Sequence, residues 1–572
     1  MEKRLLIAVL LMSAAIMLTN LIFPPAEPAP VEADSVEVEV ATPSQDLPTE
    51  PPALPLATPT PTTSGGADTV AVSSPLYRYS FSTRGAALVD ARLLEYPSYT
   101  EEGTVQLVPE GTADFLSYRI AIGSDTVNLR SLPFTPSAEA VTLNEDDGPV
   151  DLTFSYRAPE GFTVQLIYTF HPDRYLVDVA GSVSGLGGRT ASLLTSVGPG
   201  LEVHEAFAHH SERDRAVVSR TAAGDFETVK LDGLEDVERL QGPLTWTGIK
   251  DKYFLAALIA GEAQPFTTAI VEDLPDKRLI PPSGEDNAVI LPRAELTSVL
   301  PLGADGTFSY QAYLGPQDYD RLAAVGYDLE EVTPYGYRWL QSFIRPIAAG
   351  ILWVLNLLHS TLGIAYGWVL VLFGVLMRVV VWPLNGKAMR AQMKNMAVQP
   401  LMQEIREKYK DDPQAQQREM VRLYKEEGFN PVAGCLPMLI PMPILITLFF
   451  VFQNTIAFRG AEFLWLPDLS LPDPYYILPV FLVTSMFALQ WVSAKMSGME
   501  QNAQLKVMMY VMPLMMGILF FNLPAGLNLY YATTNVASLP QQILIARERK
   551  KAQAALKKNG KAKSGKKVAK RK

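Results

Sequence analysis

Hydrophobic and polar positions alternate along this chain in three distinct rhythms. The first begins at Leu5 to Phe23, an apolar run behind Lys3 and Arg4 that only Ser13, Thr19 and Asn20 interrupt. Its length suits a bilayer, whereas the apolar core of a cleaved signal peptide is shorter and ends at small residues. The run therefore predicts an uncleaved anchor over 1–23. Eleven prolines among Ala, Glu, Thr and Ser then fill residues 24–67. Such a composition buries too little apolar surface to fold and predicts a disordered linker.

From about Ser73 to Ala324 the rhythm shortens to period two. DLTFSY, FTVQLIYTF and RYLVDVAGSV are separated by Gly, Pro and Asp turns. That pattern predicts a large antiparallel β-sandwich, placed at 68–334. Tyr335 to His359 then mixes Trp, Tyr and Arg with apolar residues around Pro346, as an interfacial amphipathic helix over 335–361 would. Five apolar segments follow: Leu362 to Leu384, Gly434 to Gln453, Tyr475 to Val492, Val507 to Phe521 and Ala525 to Ile545. With the anchor they predict six transmembrane α-helices in a multi-domain membrane protein.

Charge sets the topology. Residues 1–335 carry 48 of the 60 acids and 21 of the 49 Lys+Arg, so the chain is acidic first and basic afterwards. Nine Lys+Arg lie in 385–433 and thirteen in the tail 547–572, which predicts both on the cytoplasmic side. The segment Asn454 to Pro474 holds only Arg459 and three acids, and faces the opposite side. Both termini are then cytoplasmic and the β domain lies outside the cytoplasm.

Candidate chemistry starts with Arg378, an arginine inside the apolar stretch LGIAYGWVLVLFGVLMRVVVWPL. A guanidinium at membrane depth costs about 2.5–3.5 kcal/mol on insertion scales, so it is paired, hydrated or functional. No apolar segment contains an Asp or Glu to pair with it. Two readings stay open: snorkelling toward the end near Pro383, or a hydrated intramembrane cavity. The last span adds Asn528, Tyr530, Tyr531, Thr533, Thr534 and Asn535, which suit either a wet cavity or hydrogen bonds between helices. Met508, Met509, Met512, Met515 and Met516 give the preceding span an adaptable apolar surface.

Residues 385–430 predict a charged helical hairpin. Met389, Met393 and Met396 recur at helical spacing, Ile405 and Tyr409 continue beyond Pro400, and Asp412-Pro413 opens a second helix bearing Met420, Leu423 and Tyr424. The length exceeds an ordinary connection, which favours a partner-contacting role over a plain tether. The basic tail suits anionic lipid headgroups or phosphate backbones. His204, His209 and His210 lack metal-site spacing, and the single cysteine, Cys435, excludes an intramolecular disulfide and reads as a buried hydrophobe. No cofactor or metal is expected.

Taken together, these segments resemble the YidC/Oxa/Alb family of membrane protein insertases. The resemblance covers nearly the whole chain and is strongest in MRVVVWPLNGKA, MAVQPLMQEIREKY, QREMVRLYKEEGFNPVAGCLPMLIPMPI, LPDLSLPDPYYILPV and LPAGLNLYYATTN. FSTRGAALVDARLLEY, WTGIKDKYFLAALI and LGPQDYDRLAAVGYDLE are similar to the family's periplasmic β-sandwich. It implies a five-span insertase core over 362–546, lodged in the bacterial inner membrane, enclosing a hydrophilic groove open to cytoplasm and lipid. Arg378, Asn528, Tyr530, Tyr531, Thr534 and Asn535 would line that groove. A client helix would leave along Leu439, Ile444, Met508, Met512 and Met515. Met396, Pro400, Ile405, Tyr409, Met420 and Tyr424 of the hairpin would engage the client early.

The implied partners are nascent membrane proteins, components of the Sec translocon, the ribosome through the basic tail, and membrane lipids. Gly374 and Pro441 stand where relatives often carry polar groups. A solute transporter would call for internal repeats or intramembrane acids, and an enzyme in a mutarotase-like sandwich for a paired carboxylate and histidine; neither pattern occurs. A chaperone or assembly factor without insertion activity remains compatible with the sequence.

Overall fold

The computed structural model describes residues 68–112, 115–159, 161–205, 212–261, 264–279, 288–335, 341–410, 412–426, 442–497, 503–544 and 547. The expected anchor and linker (1–67), the tail beyond 547, His209, His210, Cys435 and Leu439 lie outside the described residues.

The described residues of 69–316 form nineteen strands in one continuous hydrogen-bonded ladder. The pairings fall into two series. One runs from Val150–Arg157 through Thr163–Phe170, Leu176–Ser184, Thr307–Pro316 and Phe254–Ala260. The other runs from Leu116–Ile122 through Ala191–Val197, Val289–Pro301 and Phe266–Leu279. The long strand Val237–Lys250 joins them: its first half pairs with Phe266–Leu279, and after a register break between Gln241 and Leu244 its second half pairs with Phe254–Ala260.

Alternate side chains of both series enter one core, because a strand turns successive residues to opposite faces. In Thr163–Phe170 the buried set is Val164, Leu166, Tyr168 and Phe170. Three tyrosines tie the series together where no water reaches. The Tyr118 hydroxyl meets those of Tyr168 at 2.7 Å and Tyr310 at 2.9 Å, and Tyr168 donates onward to the Ala86 carbonyl. Buried hydroxyls are tolerated only when partnered in this way.

Among the described residues, eight helices follow or cap this domain: α1 (Tyr319–Val325), α2 (Gln341–Leu362), α3 (Tyr366–Lys408), α4 (Pro413–Glu426), α5 (Met442–Asn454), α6 (Ile477–Ser497), α7 (Ala503–Phe520) and α8 (525–544). The sequence suggested that a span ends near Leu384 and a separate hairpin helix begins. Instead α3 is a single helix of 43 residues. Ala, Met, Arg, Gln and Lys keep helix propensity high beyond Pro383, and no capping signal stops it. At ~1.5 Å per residue it extends roughly 65 Å, about twice a hydrocarbon core. The second hairpin helix starts as expected, with Asp412 Oδ1 accepting from Gln414 N at 3.1 Å and Ala415 N at 3.0 Å.

Two described helical segments are long and apolar enough to cross a membrane, Phe343–Leu362 and Tyr366–Pro383; Pro443–Asn454 and Ile477–Trp491 are shorter. The helices share a second core, built from Ile344, Leu352, Phe373, Val451, Phe452, Leu482, Phe520 and Tyr530 among others.

Candidate functional site

Burial within the helices is polarised. On α3, Val369, Leu370 and Phe373 are sealed, while Val375, Leu376, Val379 and Val380 one or two turns later are exposed. On α5 and α6 the sealed residues, Leu448, Val451, Phe452, Leu478 and Leu482, flank the loop 455–476. The bundle is therefore tightly packed near that loop and opens toward the other end.

Arg378 sits where the packing loosens. It is half-buried, its Nε has no hydrogen-bond partner among the described residues, and the Tyr530 hydroxyl lies within electrostatic reach of its guanidinium. The helix that faces it is α8. A Cβ on Gly374, one turn before Arg378, would lie 3.2 Å from Thr533 Cγ2 and 3.5 Å from the Tyr530 carbonyl, so α3 and α8 touch closely there. Nearer the far end Gln541 Nε2 donates to the Trp382 carbonyl at 3.0 Å, holding α8 to α3 a second time.

The polar residues of α8 divide by contact. Tyr530 packs on Phe373 of α3 and Phe452 of α5, with ring centroids 5.8 and 5.6 Å apart, and Tyr531 packs on Phe520 of α7 at 5.2 Å. Asn535 donates to Ser485 of α6 at 3.0 Å. Thr534 bonds back to the Tyr530 carbonyl at 2.6 Å. Asn528 is fully enclosed and donates to the Phe520 and Leu523 carbonyls, which fixes the turn between α7 and α8. Its contacts join helices and do not face the opening.

Of the apolar candidates, Ile444 is half-buried against the helical core and Met515 is 47% exposed. Met508 and Met512 lie on α7, and Met396, Pro400 and Tyr424 on α3 and α4, but their side chains are outside the described residues. Ile405, Tyr409 and Met420 are half-buried. Ser485 and Gln541 are contributors that sequence reasoning passed over, and Gly374, read in the sequence as lost polarity, is where α3 meets α8. Among the described residues no group of His, Cys, Asp and Glu could hold a metal.

Residues 69–349 match the model of the YidC periplasmic domain, and residues 357–553 that of the 60Kd inner membrane protein family. A membrane protein insertase YidC from Geobacter metallireducens is 31% identical over 95% of this chain and 98% of its own length. The chain belongs to the YidC family of membrane protein insertases. A further relative, the insertase YidC of Syntrophus aciditrophicus, is 29% identical over 96% of this chain and 100% of its own. A crystal structure of an active YidC insertase with its first transmembrane domain resolved aligns at 19% identity over 82% of this chain and 91% of that one, with a TM-score of 0.32.

This protein is thus a membrane protein insertase of the inner membrane, built with a large β-rich periplasmic domain, and is not an enzyme.

Proposed function

We propose that this insertase lowers the barrier for a client's polar tail by receiving it in a hydrated groove around Arg378. The carrying observation is the half-buried guanidinium whose Nε lacks a partner among the described residues, in a chain whose membrane-length apolar segments contain no Asp or Glu. Water in the groove reduces the penalty of burying polar groups, and a fixed cation between apolar walls attracts carboxylates more strongly than it would in bulk water. Tyr530, Tyr531, Thr534 and Asn535 line the path, while Asn528 holds the turn behind it. The client's apolar helix leaves along Ile444 and Met515, with Leu439, Met508 and Met512 completing the surface.

The polarised burial supports this reading, since the sealed end of the bundle adjoins the loop 455–476 and the open end adjoins the basic segments. Positive residues mark the cytoplasmic side, so the groove opens to the cytoplasm and both termini lie there. The extension of α3 to Lys408, with α4 folded beside it, carries the hairpin well beyond a bilayer. It meets clients early, and the basic tail meets the ribosome or anionic lipid. Six spans complete the core and anchor. The protein serves nascent membrane proteins alone or beside the Sec translocon.

For α2 the interfacial reading is favoured. Arg345 pairs with Glu331, and Asn356 donates to Asp320 at 2.5 Å, so the β domain holds the helix at two points eleven residues, or roughly 16 Å, apart. A helix leaving the domain end-on would lose the second contact.

A photoreactive residue at Tyr531 or Met515 should crosslink to a stalled single-span client in membrane vesicles, while one at the exposed Trp353 of α2 should not. Equal labelling at all three positions, or none at Tyr531, would sink the groove assignment.

A further inference from the structure

In the strand Leu116–Ile122 the core takes Leu116, Tyr118 and Ile120, so Ser117 and Arg119 turn to the other face of the sheet. Register sets Ser117 opposite Ser196, and Ser196 opposite Thr297, which lines up three hydroxyls across three adjacent strands. Ser196 Oγ meets Thr297 Oγ1 at 2.8 Å, and Arg119 Nη2 donates to both, at 3.1 and 3.0 Å. Arg130 reaches in from the short turn Leu129–Ser131. Its Nε donates to Ser117 Oγ at 2.9 Å and its Nη2 to Glu295 Oε1 at 3.1 Å.

Over this polar shelf lies a cleft of about 380 Å³, whose walls include Glu110, Arg130, Ser196, Gly198, Arg293 and Glu295. Gly198 keeps one wall close, since an added Cβ there would lie 2.9 Å from the Glu295 Cα. Glu295 sits between two guanidiniums, 3.1 Å from Arg130 and 3.6 Å from Arg119. Arg293 brings a third, its Nε donating to the Pro275 carbonyl at 2.7 Å. With Glu110 on the exposed rim, three guanidiniums gather with two carboxylates. Stapling the strands together needs only one arginine for Glu295. Arg119 Nε is cut off from solvent and has no hydrogen-bond partner among the described residues, so the cluster is short of acceptors. That surplus of positive charge stands in the half of the chain, residues 1–335, where acids outnumber Lys+Arg by 48 to 21.

We infer that this cleft is a binding site for a small hydroxylated carboxylate of the sugar-acid class. A carboxylate supplies the negative charge and the acceptors that the arginines lack, in the paired geometry a guanidinium favours. Glu110 and Glu295 in turn accept from hydroxyls on the ligand's body. A bare anion would leave most of the cleft unfilled and would bring no donor to either carboxylate. The site belongs to the β domain and stands apart from Arg378 and the groove. It makes no demand on insertion and adds recognition of a small ligand to the domain.

Isothermal titration of the purified full chain in detergent tests the site, with D-glucuronate, glucose and acetate as probes. Glucuronate should bind. Glucose lacks the carboxylate and acetate lacks the hydroxylated body, so each should bind about tenfold more weakly or worse, as the loss of charged hydrogen bonds requires. Arg130→Gln and Arg293→Gln should each weaken glucuronate about tenfold or more, whereas Arg378→Gln should leave its affinity unchanged. Arg130 also ties strands together, so the deciding variant is Arg293→Gln, which gives up the bond to the Pro275 carbonyl and should melt with the parent. Arg293→Lys keeps the charge and loses the planar fork; it should weaken binding less, and it stands in if the glutamine variant fails to fold. Absence of glucuronate binding, equal binding of glucose or of acetate, or full affinity in a folded Arg293 variant would each overturn the assignment.

Discussion

Gly374 of α3 faces Thr533 of α8 so closely that an added Cβ would lie 3.2 Å from the threonine Cγ2. The glycine thus lets two helices meet one turn from Arg378, and its value is the volume it lacks. Gly374→Ala asks for a shift of a few tenths of an ångström and should leave thermal stability in detergent nearly unchanged. Gly374→Leu overpacks the contact and should cost about 1–3 kcal/mol. Melting curves of the purified full chain check this, and a leucine variant as stable as the parent would mean the helices are not packed there.

Tyr118 anchors the β domain differently. Its hydroxyl bridges Tyr168 and Tyr310 across the two strand series. Tyr118→Phe removes that oxygen and leaves two buried hydroxyls each short of a partner, a cost of about 1–3 kcal/mol. Denaturant unfolding followed by protection of the domain from protease should show it, with Tyr118→Phe unfolding at clearly lower denaturant. A coincident curve would show that water or rotation replaces the lost bond.

The alternation in FTVQLIYTF was sufficient to place Val164, Leu166, Tyr168 and Phe170 inside, because a strand's period leaves one way to bury them. The apolar segments located α6, α7 and α8 for a similar reason. The continuity of α3 was hidden because Pro383 and the onset of charge at Lys387 look like an ending, while helix propensity carries the backbone through. Gly374 looked like lost polarity and turned out to be a close contact. The socket in which the β domain buries Arg459 of the loop 455–476 was invisible: its partners Pro97, Tyr99, His204, Glu205 and Phe254 are far apart in sequence, and no periodicity links a loop arginine to them. Long-range polar matches of this kind exist only after the fold is made.

His204, whose carbonyl accepts from Arg459 Nη2 at 3.3 Å, should make stability pH-dependent. Its Nδ1 lies 2.8 Å from Ser98 Oγ, its Nε2 meets the backbone of Gln106, and burial holds its pKa below the ordinary 6.5. The unfolded chain takes up a proton near that ordinary value while the folded chain resists, so the contribution is present above about pH 6.5 and falls away as pH drops below it. Glu205 acts oppositely. Burial outweighs the pull of Arg459 and pushes it up from 4.5 to about 7, so its charged form costs stability as pH rises through about 7. His204→Gln isolates the first effect. Between pH 6.5 and 5 the melting temperature of the parent should fall more than that of the variant, and parallel curves would assign the acid sensitivity to other groups.

For Arg378 the decisive variable is the client's charge. At 4 Å two unit charges attract by about 1 kcal/mol in water and about 4 kcal/mol at an effective dielectric near 20, and a hydrated groove lies between these limits. Replacing Arg378 by Gln should slow insertion of a client with an acidic translocated tail about tenfold, equivalent to about 1.4 kcal/mol. The same client with its acids changed to Asn and Gln should insert at similar rates in both proteins. Arg378→Lys keeps the charge but loses the planar fork, so it should retain most of the difference between clients. Raising salt should narrow the gap for the parent and leave Arg378→Gln unaffected, because only a solvated pair is screened. Equal slowing of acidic and neutral clients by Arg378→Gln would assign the arginine to the architecture of α3 and not to attraction of the tail.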